Sequence, residues 1–96
     1  MKFAALIEYT SDKAKIAEVR PAHREYLTGL LKDGKLAIAG PFTDDSGAFI
    51  VYESETSEQA EAILKADPFC QRGIFVRWTI RPWKVVFASR DLVPAT

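Results

Sequence analysis

Apolar residues recur along this chain with a period near two, then near four, then two again. Lys2 to Tyr9 is apolar on both alternations, with Phe3, Ile7 and Tyr9 on one side and Ala4 and Leu6 on the other. That pattern predicts a central strand covered on both faces. Ser11 to Glu18 is polar with helical tendency, and Ser11 or Asp12 suits the cap of a first turn. Arg20 to Asp33 reads as a longer helix, with Pro21 in its first turn, where the missing N–H costs nothing. At about 100° per residue, His23, Leu27, Leu30 and Leu31 share one face with Tyr26 at its edge. Gly34 follows as the residue that ends the helix.

Lys35 to Ala39 predicts a second strand, closed by Gly40-Pro41. Thr43-Asp44-Asp45-Ser46-Gly47 is turn chemistry, so a hairpin leads into a third strand from Ala48 to Glu53. Ser57 is placed to cap a helix from Glu58 to about Ala66, burying Ala60, Ile63 and Leu64. Asp67-Pro68 breaks it, and Phe69 to Gly73 predicts a short turn. Phe75 to Val86 predicts a long strand, with Pro82 marking an edge or a bend. The order β-α-β-β-α-β is the split βαβ, or ferredoxin-like, arrangement: α+β class, a four-stranded antiparallel sheet and two helices on one face. One domain is expected over residues 1–86, followed by a tail, 87–96, without a pattern.

Such a sheet leaves one face bare, yet several strands look apolar on both. In the last strand Val76, Trp78 and Ile80 are expected to face the helices. Phe75, Arg77, Thr79, Arg81 and Trp83 then form the opposite, mixed aromatic and cationic face. A homodimer packed sheet to sheet is the economical way to bury it.

Composition narrows the class. The chain is 48% hydrophobic and 27% charged, which fits a folded globular domain rather than disorder. A formal net charge of +0 argues against a general nucleic-acid partner and leaves little repulsion against self-association. The single cysteine, Cys70, rules out an internal disulfide and fits a reducing compartment. The first ten residues are too polar for a signal peptide, and no apolar run reaches the roughly 20 residues that span a bilayer. The expectation is a cytoplasmic protein with no membrane partner.

His23 is the only histidine, and it falls on an apolar stripe. A buried imidazole must find a polar partner or stay neutral. Unperturbed, it titrates near ~6.5, which suits it to moving protons at neutral pH. Asp67 is the best candidate partner, since both helices share one sheet face and the second ends near it. A carboxylate there would fix the tautomer and leave the other ring nitrogen free. Bland readings fit equally: a core histidine held by a backbone carbonyl, and an aspartate that only shapes a turn. Arg20 and Arg24 flank the histidine and would attract an anionic ligand, or simply be solvated. Gly40-Pro41 suits the turn or a close backbone approach to a ligand. Ser46 lacks a local base, Cys70 reads as a small core residue, and one histidine with one cysteine makes no metal cluster. Neither a phosphate loop nor a dinucleotide fingerprint occurs.

Four segments together carry a resemblance. Arg20-Pro21-Ala22-His23-Arg24-Glu25-Tyr26-Leu27 comes first, then Gly34-Lys35-Leu36 with Ala39-Gly40-Pro41. Ala66-Asp67-Pro68-Phe69 with Gly73 follows, and Ile80-Arg81-Pro82-Trp83 completes the set. In this order and spacing they resemble the YCII-related (YciI-like) family, from about Lys2 to Lys84. The resemblance implies a ferredoxin-like fold associating as a dimeric α+β barrel, and an active site whose histidine and aspartate map onto His23 and Asp67. Two departures stand out: Gly47-Ala48 occupies a hairpin that often carries two glycines, and Lys84 to Thr96 matches nothing in the family. One branch resembles enzymes that dehydrochlorinate a hydroxylated aromatic ring. Related barrels include muconolactone isomerases and small monooxygenases, so the analogy points to proton transfer on small cyclic or aromatic compounds.

Two functions follow as expectations. In the first, a small anionic or phenolic molecule binds near Arg20, Arg24, Gly40, Pro41 and Phe69. His23 acts as general acid or base, Asp67 orients it, and neither metal nor organic cofactor is needed. In the second, the chain is a non-catalytic dimeric binding or accessory module, and the His23–Asp67 contact is structural.

Overall fold

The computed structural model describes residues 1–93. Its elements run β1 (Lys2–Tyr9), α1 (Lys13–Lys32), β2 (Leu36–Pro41), β3 (Gly47–Glu53), α2 (Ser57–Lys65), α3 (Pro68–Gln71) and β4 (Phe75–Trp83). The strands form one antiparallel sheet in the order β2-β3-β1-β4. This is the expected α+β, ferredoxin-like arrangement with β1 central. Phe3, Ala5, Ile7 and Tyr9 line the buried face of β1 and meet Ile16, Val19 and Leu30 of α1 and Ala60 and Leu64 of α2 in one core. Among the described residues no helix is long and apolar enough to cross a membrane.

The first helix starts earlier than its pattern suggests. Asp12 caps it by accepting from the Lys15 N–H at 3.1 Å, and the helix then runs through Pro21 without a break. Pro21 is therefore not in the first turn. It lies in the middle with its ring exposed, and the carbonyl of Ala17, deprived of its usual donor, is also on the wet side. The buried stripe accordingly begins at Ile16 and continues through Val19 and His23 to Leu30, while Leu31 is partly exposed. At the far end Gly34 adopts φ +74°, the left-handed conformation expected after a helix. The second helix is capped by Thr56 rather than Ser57, because Thr56 holds the extended backbone and its hydroxyl accepts from Gln59 N–H. The turn expected over Phe69–Gly73 is largely the short helix α3. Strand β2 extends through Gly40-Pro41, and β4 stops at Trp83 instead of Val86.

A bulge corrects the faces of β4. The register with β1 shifts between Glu8 and Tyr9, so Tyr9 opposes Phe75 while Glu8 opposes Arg77. The extra residue, Val76, is pushed outward and half exposed, and Phe75 turns into the core. Trp78 and Ile80 face the helices as expected. Pro82 sits on the edge strand, where a missing N–H breaks no ladder. On the other face of the sheet Leu6 is 53% exposed, so β1 is not covered on both sides within one chain.

Gly47 explains the hairpin departure. A Cβ there would land on the backbone carbonyl oxygen of Ile7, so no larger residue fits where β3 enters beside β1. The next position tolerates a methyl group, and Ala48 is buried.

Candidate active site

Asp67 is held by its own local sequence. The proline that follows keeps it extended (φ −64°, ψ 133°), and Pro68 opens α3. From this N-cap position Asp67 Oδ1 accepts from the Phe69 backbone N–H at 2.9 Å. The same carboxylate, fully buried, accepts from His23 Nδ1 at 2.8 Å to Oδ1 and 2.9 Å to Oδ2. The contact joins the middle of α1 to the start of α3. It does not run between the first turn of one helix and an antiparallel neighbour, as the sequence pattern suggested.

The imidazole is also fixed from the side. It stacks on the Phe69 ring with centroids 3.9 Å apart and planes within 6°, and the Phe75 ring meets it edge-on at 6.0 Å. With Nδ1–H committed to Asp67, Nε2 is left as the lone-pair nitrogen. Among the described residues Nε2 has no hydrogen-bond partner, yet it is not a sealed orphan, since Tyr52 Oη alone has that character. His23 lines the cavity, and Nε2 is the ring nitrogen left free for a ligand there.

That cavity, of about 850 Å³, lies between α1 and the β2 side of the sheet. Leu27, Leu31, Leu36, Ile38, Ala39 and Ile50 make most of its wall apolar, while Tyr9, His23, Arg24, Thr28 and Lys32 supply polar groups. Gly40 and Pro41 line it, as their candidacy requires. Arg24 does too, and no carboxylate pairs with it among the described residues. Arg20 does not reach the cavity: its guanidinium is bound to Asp45 Oδ1 at 2.7 Å. Phe69 is fully buried beneath the imidazole, so it supports the ring rather than touching a ligand. In the tail, Lys84 to Ser89 is irregular, and Val93 reaches the cavity rim. The rest of the expected tail, residues 94–96, lies outside the described residues.

Tyr9 escaped the sequence reading, which took it for core at the end of a strand. Its ring is indeed core, stacked with Phe75 at 6.0 Å and edge-on to Phe69 at 5.4 Å. The signal that could have found it is positional: an aromatic with a polar tip at the last residue of a central strand, where a cavity opens. Burial pushes its hydroxyl up to about 12; the Arg20 guanidinium opposes this, and the Asp67 and Asp45 carboxylates reinforce it. The phenol is thus a neutral donor at any physiological pH. Burial likewise raises the Cys70 thiol, which leaves it an inert core group.

Comparison with known proteins places the fold and the family. The YCII-related domain model matches residues 1–84. The protein YciI of Escherichia coli O6:H1 is 36% identical over 93 residues, covering 82% of this chain and 95% of that protein. The uncharacterized protein YjpA of Bacillus subtilis is 36% identical over 63 residues, 66% of this chain and 73% of that one. Among solved structures, the 5-chloro-2-hydroxyhydroquinone dehydrochlorinase TftG of Burkholderia phenoliruptrix superposes with a TM-score of 0.76 at 26% identity. It covers 88% of this chain and 94% of its own, and it was solved in complex with 2,5-dihydroxybenzoquinone. A matched family model over nearly all of the chain, a close relative of almost equal length and a shared fold lead to one conclusion: this chain belongs to the YCII-related domain family.

Proposed function

We propose that this chain is a small-molecule enzyme that uses His23 for general acid–base proton transfer on a small cyclic or aromatic, anionic compound. The observation that carries the reading is the His23–Asp67 contact at the cavity wall, with the carboxylate sealed and Nε2 open. An imidazole whose Nδ1 proton is pinned by a carboxylate presents a base of fixed tautomer to whatever fills the cavity. Arg24 steers the anion at the rim, and Gly40 and Pro41 form the backbone wall opposite α1. Isomerisation, elimination and dehydrochlorination all fit this equipment. In the last, the ring first tautomerises so that the chlorine-bearing carbon becomes tetrahedral. A ring hydroxyl then gives its proton to Nε2, its O–H electron pair forms a carbonyl, and the displaced ring electrons expel chloride with the carbon–chlorine pair. A purely structural pair would favour the binding-module alternative, but such a pair gains nothing from a ring nitrogen open to a cavity. The lone, partly buried Cys70 supports a reducing, cytoplasmic setting.

Chloride release from 5-chloro-2-hydroxyhydroquinone tests the proposal. Release proportional to protein and suppressed by 2,5-dihydroxybenzoquinone is the expected result. A protein that neither releases chloride nor binds the quinone would favour the non-catalytic module.

The assembly belongs to the same proposal. The bare sheet face carries Ala4, Leu6, Phe49 and Trp83, the last two meeting edge-on at 6.1 Å. Two of its cations are spent within the chain, Arg77 on Glu8 at 3.2 Å and Lys2 on Glu53, while Arg81, opposite Ala4, has no ion pair among the described residues. A face with an apolar centre and a largely paired rim suits a second copy of itself better than a strongly charged partner. The chain should sediment as a dimer at micromolar concentration, and Leu6→Glu should shift it to monomer. A parent that sediments as a folded monomer would overturn this part.

A further inference from the structure

We propose that Tyr9 is the oxyanion-binding donor of this site: its hydroxyl donates a hydrogen bond to the substrate oxygen on which charge collects as His23 moves a proton. The inference rests on the reading of His23 as the base and deepens it by naming the group the substrate must carry.

Three tyrosines lie near the carboxylate, and their hydroxyls have different fates. Tyr26 donates to the Ile63 carbonyl at 2.7 Å and is spent on holding α1 to α2. Tyr52 Oη is sealed in the core without a partner. The Tyr9 hydroxyl has no partner among the described residues either, yet it is not sealed, because Tyr9 lines the cavity beside His23. A buried aromatic that keeps a free hydroxyl at a cavity wall is incomplete without a ligand there. Its position is rigid. The Tyr9 N–H donates to the Ser46 carbonyl at 2.9 Å, and the next N–H, of Thr10, donates to Ile74 at 2.8 Å. The ring rests on the same Phe69 side chain that carries the imidazole, so donor and base share one support. Held this way, the hydroxyl pays little reorganisation when charge develops.

The two groups complement each other chemically. His23 Nε2 accepts a proton, and the Tyr9 hydroxyl, neutral across the working range, donates a hydrogen bond. The wall around them, Leu27, Leu36 and Ile50, is apolar. A hydroxyl on the same cavity wall as the imidazole suits a substrate with a carbonyl oxygen conjugated to a tetrahedral reacting carbon: the keto form of a flat phenol, which becomes a phenolate or enolate as the proton leaves. As the proton leaves carbon for Nε2, the released electron pair delocalises onto that oxygen, where Tyr9 and the nearby Arg24 stabilise it.

The test is the affinity of 2,5-dihydroxybenzoquinone, a vinylogous acid that is anionic at neutral pH, for the parent and Tyr9→Phe. The substitution keeps the ring stack and removes only the hydroxyl. Affinity should fall about tenfold or more, the scale of a lost charge-assisted hydrogen bond, while the quinone still perturbs the His23 ring signals. Equal affinity in the two proteins overturns the role of Tyr9 and leaves the reading of His23 standing. No binding to the parent overturns both. Should Tyr9→Phe lose its fold, 3-fluorotyrosine placed at position 9 alone supplies a more acidic donor. Tighter binding then supports the proposal, and unchanged affinity defeats it.

Discussion

His23→Ala is expected to keep its fold and lose its chemistry. Positioned proton transfer is worth about 10²–10⁴-fold, and chloride release from 5-chloro-2-hydroxyhydroquinone should fall by that factor in kcat. Among the described residues that line the cavity no second side chain is suited to take over, since Arg24 and Lys32 are cations. Tyr9 holds its proton too tightly to act as base near neutrality, and Asp67, fully buried and holding the Phe69 N–H, does not line the cavity. Removing the ring leaves a void against Phe69 and takes from the buried Asp67 carboxylate one of its two donors, so a loss of melting temperature accompanies the change. A His23→Ala protein that turns over like its parent would end the assignment.

Asp67→Ala should be the most damaging substitution for stability. The carboxylate satisfies two donors at once, the His23 Nδ1–H and the Phe69 N–H. Truncation orphans both in a fully buried place, each at about 1–3 kcal/mol, so the combined loss is on the order of 3 kcal/mol. A domain of this size has only about 5–15 kcal/mol to lose, and urea unfolding reads the difference directly. Asp67→Asn separates stability from chemistry. The amide oxygen can still cap Phe69, but the amide N–H facing the ring favours a proton on Nε2, the wrong nitrogen for a base. The asparagine variant should therefore be more stable than the alanine variant and still slow. Alanine and parent melting together would mean that Asp67 does not hold the network described above.

Much of this was legible because it is written in short-range patterns. The order of strands and helices follows from alternation and periodicity, and Asp67-Pro68 announces both a helix end and a new N-cap. His23 stood out because an imidazole on an apolar stripe demands a partner. What the sequence hid is mostly tertiary. Pro21 looks like a helix start, yet its exposed position lets the helix continue through it. The bulge after Glu8 has no marker in the sequence, and it alone decides that Phe75 rather than Val76 supports the imidazole. Arg20 and Arg24 look alike beside His23, but one is spent on Asp45 and only the other lines the cavity. Phe69 and Tyr9 exchange roles for the same reason: which face of a ring is covered depends on packing that spacing does not record.

The most direct test of the account is the ¹⁵N spectrum of the single histidine ring, recorded free and with 2,5-dihydroxybenzoquinone. In the neutral ring Nδ1 should carry the proton and bind the carboxylate, Nε2 should hold the lone pair, and only Nε2 should respond strongly to the quinone. The opposite tautomer, or an Nε2 signal that ignores the ligand, would contradict the claim that His23 is a base held ready by Asp67.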